Sequence, residues 1–457
     1  MTEICIDDQP QFFVDDHLVD NRWGVEYLTE AVIRVFHAPV KHAGNPVIAG
    51  RGGYVNVLRE GGRFRMWYQD YWDQSWEPRK YTYGVAYAES EDGVDWRLPT
   101  IGRHAFKGTK DNNIVLLGPG GGRAEVPYLL DVPEQYRRGY AYLLLYLTDE
   151  PESARLIGSH DGINWDPASD ICIASGFTPD THGSIVWDPR RERFVWFTRA
   201  TNLYRDRGAR RKVARLEHAR LWQEWPIRSE NILLPDRLDA ETVHNYFYGM
   251  PTRYYAGIYW GFLWPYRHQE DIYTALAFSR DGRHFQRPAE RPPLIDLGAE
   301  GAWDAGMVMA SNWVEVGDEW WIYYAGTGGL HKERDPVPGI GLARLRKEGF
   351  ASLRSPAGGG FVVTKLLQGP GGRLLLNANA SGGELRVRLT DYERAPLPGY
   401  GAPSRPISGD GVRQAVQWDG LDAAVPAQRP LRLEFEMRGL VDLYGFCFSA
   451  ISKPQSK

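Results

Sequence analysis

Apolar positions in this chain fall in short runs and alternations, and no stretch sustains the 3.6-residue spacing of an amphipathic helix. Five aromatic-rich runs stand out: Phe64-Arg65-Met66-Trp67-Tyr68, Ala141-Tyr142-Leu143-Leu144-Leu145-Tyr146, Phe194-Val195-Trp196-Phe197, Ile258-Tyr259-Trp260-Gly261-Phe262-Leu263-Trp264 and Glu319-Trp320-Trp321-Ile322-Tyr323-Tyr324. Near-continuous apolar character of this length fits strands covered on both faces. Each run is preceded by a stretch rich in Gly and small residues. Each is followed by an alternating stretch that ends in one short turn. The clear copies are Ser90-Glu91-Asp92-Gly93-Val94-Asp95-Trp96, Ser159-His160-Asp161-Gly162-Ile163-Asn164-Trp165 and Ser279-Arg280-Asp281-Gly282-Arg283-His284-Phe285. Degenerate copies lie at Glu217-His218 and at Arg346-Lys347-Glu348-Gly349-Phe350, so the spacing is 59 to 69 residues. Asp-Gly between strand-like runs is a hairpin signal, because Gly takes the positive φ of a tight turn. An all-strand unit repeated at this period predicts a propeller blade, and five units predict a five-bladed ring. The best helical candidate is the short basic stretch 211–224.

Beyond Phe350 the pattern changes. Ser355-Pro356-Ala357-Gly358-Gly359-Gly360 is a break, and clean alternation follows in Phe361–Thr364, Arg373–Asn377, Glu384–Leu389 and Leu431–Met437. Such alternation predicts an antiparallel sandwich. The expected organisation is all-β: an N-terminal strand segment over 1–30, a five-bladed β-propeller over 31–352, and a C-terminal β-sandwich over 353–457.

Charge narrows the partners. Basic and acidic residues are mixed and the net charge is −4, with no basic stripe of the kind that tracks nucleic acid. No apolar run reaches 18 residues, so no membrane span is expected. The N-terminus lacks a charged segment followed by an apolar one, which leads to a cytoplasmic expectation. Cys5, Cys172 and Cys447 stand alone, without metal or redox spacing, and neither a metal nor another cofactor is expected. Aromatic residues make up 13% of the chain, enough both to build the blades and to leave ring faces for stacking on a sugar.

In a propeller the inner strands line the axis, so polar residues at their starts are the candidates for chemistry. Glu125, Asp180, Glu241 and Asp304 bring a carboxylate to that level in four of the five blades. Carboxylates converging in a partly dry funnel shift one another's pKa apart, leaving one protonated as acid and another ionised as base or nucleophile. That pairing breaks glycosidic bonds. Asp180 and Asp304 are expected as the central carboxylates, with Glu241 the first choice of general acid and Glu125 the second. Tyr54, Trp72, Arg123, His182, His244, Tyr246, Arg253 and Trp303 are expected to contact the sugar, the arginines by pairing with the carboxylates or clamping a sugar acid. The functional expectation is an exo-acting glycoside hydrolase on an oligosaccharide. A lyase or phosphorylase on the same scaffold and a non-catalytic carbohydrate-binding propeller are the alternatives.

The repeated Ser-x-Asp-Gly-x-x-Trp, the inner-strand starts and the trailing alternating segment together resemble the five-bladed propeller glycosidases of glycoside hydrolase families 32, 43, 68 and 130. The opening Phe13-Val14-Asp15-Asp16-His17-Leu18, the stretch Trp303-Asp304-Ala305-Gly306 and the ending Gly339-Ile340-Gly341-Leu342-Ala343 through Gly349-Phe350 are most similar to uncharacterised family 32-like bacterial proteins. The resemblance implies a propeller with a C-terminal sandwich and a carbohydrate substrate. It carries over no catalytic residue, because the Trp-x-Asn-Asp-Pro-Asn motif of family 32 is replaced in blade 1 by Gly44-Asn45-Pro46 and Gly52-Gly53-Tyr54.

Overall fold

The computed structural model describes residues 3–20, 32–72, 82–106, 108–149, 151–177, 179, 181–199, 211–333, 337–420 and 424–449. They fall into two compact units: residues 39–316 with 321–344, and residues 1–38, 317–320 and 345–457.

The first unit is the five-bladed propeller. Blade 1 runs from an inner strand Asn56–Glu60 outward through Arg63–Trp72, Thr82–Ser90 and Ile114–Leu116. Blade 2 is Glu125–Leu129, Tyr142–Asp149, Glu152–Ser159 and Trp165–Ser175. Blade 3 is Ser184–Asp188, Arg193–Arg199, Val213–His218 and Glu230–Leu233, and blade 4 is Thr252–Tyr255, Ile258–Leu263, Thr274–Ser279 and Pro293–Ile295. Blade 5 takes Met307–Val316, Glu319–Thr327 and Pro338–Arg346 from late in the chain. Its outer edge comes from early in the chain, where Val40–Lys41 and Ile48–Ala49 pair with Pro338–Arg346. This exchange closes the ring and removes an open sheet edge.

Hydrogen bonds from blade to blade complete the circle. Asn56 Nδ2 of blade 1 donates to the Pro127 carbonyl of blade 2 at 2.7 Å, and His182 before blade 3 reaches the same carbonyl at 3.0 Å. Thr252 N of blade 4 donates to Ser184 Oγ of blade 3 at 2.8 Å. Trp264 Nε1 donates to the Ala310 carbonyl of blade 5 at 3.0 Å, and Asn312 Nδ2 of blade 5 donates to the Val57 carbonyl of blade 1 at 3.3 Å. Buried polar groups without partners are costly, so these pairings fix the relative positions of the blades.

The three clear turn copies share one geometry. The serine Oγ accepts from the glycine N–H at 2.8, 2.8 and 3.0 Å in Gly93, Gly162 and Gly282. Oδ1 of Asp92, Asp161 and Asp281 accepts from the two backbone N–H groups beyond the glycine. Gly93 and Gly162 also serve as docking points, their carbonyls accepting from Tyr323 Oη and Trp67 Nε1 of the adjacent blades at 2.7 Å. Their φ values are 80° and 76°, and an added Cβ would lie 2.7 and 2.6 Å from those same side chains. The stretch 211–224 is not helical. Val213–His218 is a blade strand whose first four residues are buried, so packing overrides its local preference.

The second unit is built of strands. Apart from the parallel pair Ile4–Cys5 with Leu367–Gln368, its strands join one eight-stranded sheet in the order Ile33–Phe36, Ala351–Arg354, Arg432–Ser449, Gly372–Thr390, Asp410–Ala415, with Gln11–Phe12 and Gly360–Val363 also pairing with Arg432–Ser449 and Ala424–Val425 with Gly372–Thr390. Two strands of 19 and 18 residues pair with each other along nearly their full lengths. In Gly372–Thr390 the buried apolar positions are even-numbered up to Ala380 and odd-numbered from Leu385 onward. The switch falls at a register break between Asn379 and Gly382, where one strand turns its face and serves both halves of a single core.

Candidate functional site

Antiparallel pairing puts the start of each inner strand, the end of each second strand and the start of each third strand at one end of the propeller. The inner strand of blade 2 is irregular there. Glu125 pairs with Leu147 and Tyr128 with Leu145, so an extra residue is bulged between them. Val126 in that bulge has φ +54°, a conformation a β-branched residue rarely takes. Three bonds hold it: Val126 N donates to Gln69 Oε1 at 2.6 Å, and the Pro127 carbonyl takes the bonds from Asn56 and His182. A bulge re-aims the neighbouring side chain, and backbone strain held in this way concentrates at functional sites. Glu125, half-buried, is the residue it positions.

Every blade contributes to what surrounds that end. Tyr71, near the end of the second strand of blade 1, interacts electrostatically with Tyr248, Asp70 and Glu125, and burial pushes its phenol well above the ordinary tyrosine range. Its hydroxyl lies beside Gly53, where a Cβ would come within 3.2 Å. Tyr248 precedes the inner strand of blade 4, and its ring carries two guanidinium groups of blade 3: Arg199 Cζ at 4.8 Å and Arg211 Cζ at 4.7 Å from the ring centroid. Buried Arg199 also donates to the Tyr248 carbonyl, from Nη2 at 2.8 Å. His331 of blade 5 bridges two phenols, with Nδ1 at 3.2 Å from Tyr266 Oη and Nε2 at 3.4 Å from Tyr248 Oη. Two carboxylates, two guanidinium groups, an imidazole and three phenols therefore meet at a single end of the ring. Such a set can hold sugar hydroxyls, transfer a proton and neutralise an anion.

The residues expected from the sequence divide among several places. Glu125 belongs to this group, and Tyr246 lies next to it, its ring 6.0 Å from that of Tyr266. Asp304 is buried at the blade 5 start, held by Lys41 Nζ at 2.6 Å and Tyr324 Oη at 2.9 Å, and Trp303 stacks on Tyr324 at 5.7 Å. Arg123 pairs with Asp149 at 2.8 Å and lies over Tyr83. His182 and Tyr54 are core rings. His182 is fully buried, 5.9 Å from Trp264 and 5.6 Å from Tyr54, and burial outweighs its bond to the Pro127 carbonyl to push its pKa down to about 3. His244 Nε2 meets Asp271 Oδ1 at 2.7 Å, and Arg267 bonds the other oxygen of that carboxylate. Glu241 ends the short helix Arg237–Glu241, exposed and paired with Arg237 at 2.8 Å, so it is not brought to Glu125. Arg253 lies toward the other end of the inner strands, donating to the Trp313 carbonyl at 2.9 Å. It lines a cavity of about 370 Å³ with Tyr128, Asp131, Tyr142, Asn312 and Trp313. Asp180 and the side chain of Trp72 lie outside the described residues.

Sequence reasoning missed Tyr71, Arg199, Arg211, Tyr248, Tyr266 and His331. Most of them sit where second strands end and third strands begin, so the signal was the polar residue closing each aromatic run. Among the described residues no group of three or more His, Cys, Asp or Glu is arranged to hold a metal ion.

No family model and no curated protein matches the chain. Solved structures do align with it. One is an N-acetylgalactosamine deacetylase from F. plautii in complex with blood group B trisaccharide, at 14% identity and TM-score 0.48, covering 70% of this chain and 96% of that one. Another is a glycosyl hydrolase from Bacteroides ovatus, at 12% identity and TM-score 0.45, covering 68% and 94%. A third is a glycoside hydrolase family 43 arabinoxylan arabinofuranohydrolase from Bacillus subtilis, at 13% identity and TM-score 0.41, covering 91% and 99%. At these values the likeness is one of chain trace, and the site is read from its own residues.

Proposed function

We propose that the protein is a glycoside hydrolase that removes a sugar from the non-reducing end of an oligosaccharide, using Glu125 at the axial end where the five blades contribute polar side chains. The observation that carries this reading is the bulged, positive-φ strand start that presents Glu125 within electrostatic range of Tyr71, which in turn interacts with Tyr248. Glu125 is the proton donor to the leaving oxygen. The second carboxylate is assigned to Asp180, on the strength of its sequence position directly before Thr181 and His182 at the blade 3 start. Asp304 takes a different part. Its carboxylate is neutralised by Lys41 and bonded by Tyr324, which suits a residue that sets the blade 5 start rather than one that exchanges protons.

General-acid assistance matters most when the leaving group is poor. Glu125→Gln should therefore slow hydrolysis of an alkyl glycoside or natural disaccharide by about a hundredfold or more, and slow a dinitrophenyl glycoside much less. Equal loss on both substrates would remove Glu125 from the acid role. Unchanged rates on both would remove it from the site.

A further inference from the structure

We infer that this axial site selects a sugar carrying a carboxylate, a uronic acid, and that Arg211 is the residue that binds it. The inference rests on the hydrolase reading for the site's location and goes further by naming the substrate class.

Arg211 precedes the third strand of blade 3, and its guanidinium lies against two rings, 4.7 Å from the centroid of Tyr248 and 5.1 Å from that of Tyr266. Its Nη1 is buried and has no hydrogen-bond partner among the described residues. Burying a charged donor without a partner costs free energy, so the position favours an anion as its partner. A guanidinium packed against aromatic rings keeps its N–H edge available, and that planar fork matches the two oxygens of a carboxylate. Its described neighbours include His331, which bridges the Tyr248 and Tyr266 hydroxyls, and Arg199, a second cation on the Tyr248 ring. The two tyrosine rings fill the space beside the guanidinium and keep water from its faces, which strengthens a charge-assisted bond.

The test is calorimetric titration of the full chain with methyl glucuronide and methyl galacturonide, with the corresponding methyl glucoside and galactoside, and with inorganic phosphate. One uronide should bind at least about tenfold tighter than its neutral counterpart, and the preference should shrink as salt is raised. Arg211→Met should abolish that preference. Arg211→Lys, which keeps the charge and loses the fork, should fall between and controls for folding. Equal binding of uronide and neutral sugar by the wild type, no binding of either uronide, or a preference that survives Arg211→Met would overturn the inference. Phosphate binding that depends on Arg211 while the uronides show no preference would also overturn it and reassign the anion. Glu125→Gln separates this claim from the hydrolase reading. If that variant stays active, the assigned acid is wrong, while the Arg211-dependent preference can still hold.

Discussion

His182 shows how far a residue's role depends on what is packed around it. At the start of an inner strand it reads as polar lining, yet it is buried among Trp264, Tyr54 and Tyr128 and holds the bulge carbonyl at Pro127. Because Nε2 faces a carbonyl, that nitrogen carries the proton. Its native pKa of about 3 lies below the ordinary 6.5, so the unfolded chain binds the proton more readily. Stability from this group is complete above the unfolded value and is lost as pH falls from there toward 3. Denaturant midpoints measured through this range should decline with acid, and His182→Gln should flatten the decline. His37 and His104 are lowered by burial as well, so the difference between wild type and variant isolates His182. Identical slopes would contradict the assignment. In the second unit, Arg432 is fully buried and bonded to Asp20 at 2.8 Å and to the Thr364 carbonyl at 2.8 Å. Asp20→Ala strands that charge and should cost about 3 kcal/mol, measured by urea unfolding; a loss below about 1 kcal/mol would show that solvent reaches Arg432.

At the scale of elements, what the sequence makes legible is what short-range chemistry decides. The Ser-x-Asp-Gly turns were readable because one serine, one carboxylate and one glycine satisfy the whole bend. The middle strands were readable because burial on both faces leaves little room for polar residues. The single eight-stranded sheet was harder. Gly382-Gly383 inside Gly372–Thr390 reads as a break between two strands, whereas the chain continues through it with its buried face switched. The site was legible only in part. Inner-strand starts pointed to Glu125 and Asp304, but whether such a residue faces the axis depends on bulges and on neighbouring blades. Glu241 shows the limit, since a capping box at Asp236 draws its segment into a surface helix. The turns themselves give two predictions. Gly162→Ala should destabilise by at least about 1 kcal/mol, from the positive φ and the clash with Trp67. Glu192→Gly, in an exposed hairpin at φ 52°, should stabilise by about 0.5–1 kcal/mol. Thermal or chemical melts check both, and opposite signs would refute the reading of those turns.

For the propeller as a whole, function follows from closure. Residues as far apart as Tyr71 and His331 share one group because Val40–Lys41 and Ile48–Ala49 complete blade 5 and lock the ring. The measurement that tests this most directly compares kcat of Glu125→Gln and Glu241→Gln on an alkyl glycoside or natural oligosaccharide that the wild type hydrolyses, with both variants shown to be folded. A loss of about a hundredfold or more for Glu125→Gln beside an unchanged Glu241→Gln is the predicted result. Full activity in Glu125→Gln would place the chemistry elsewhere in the molecule and contradict the account.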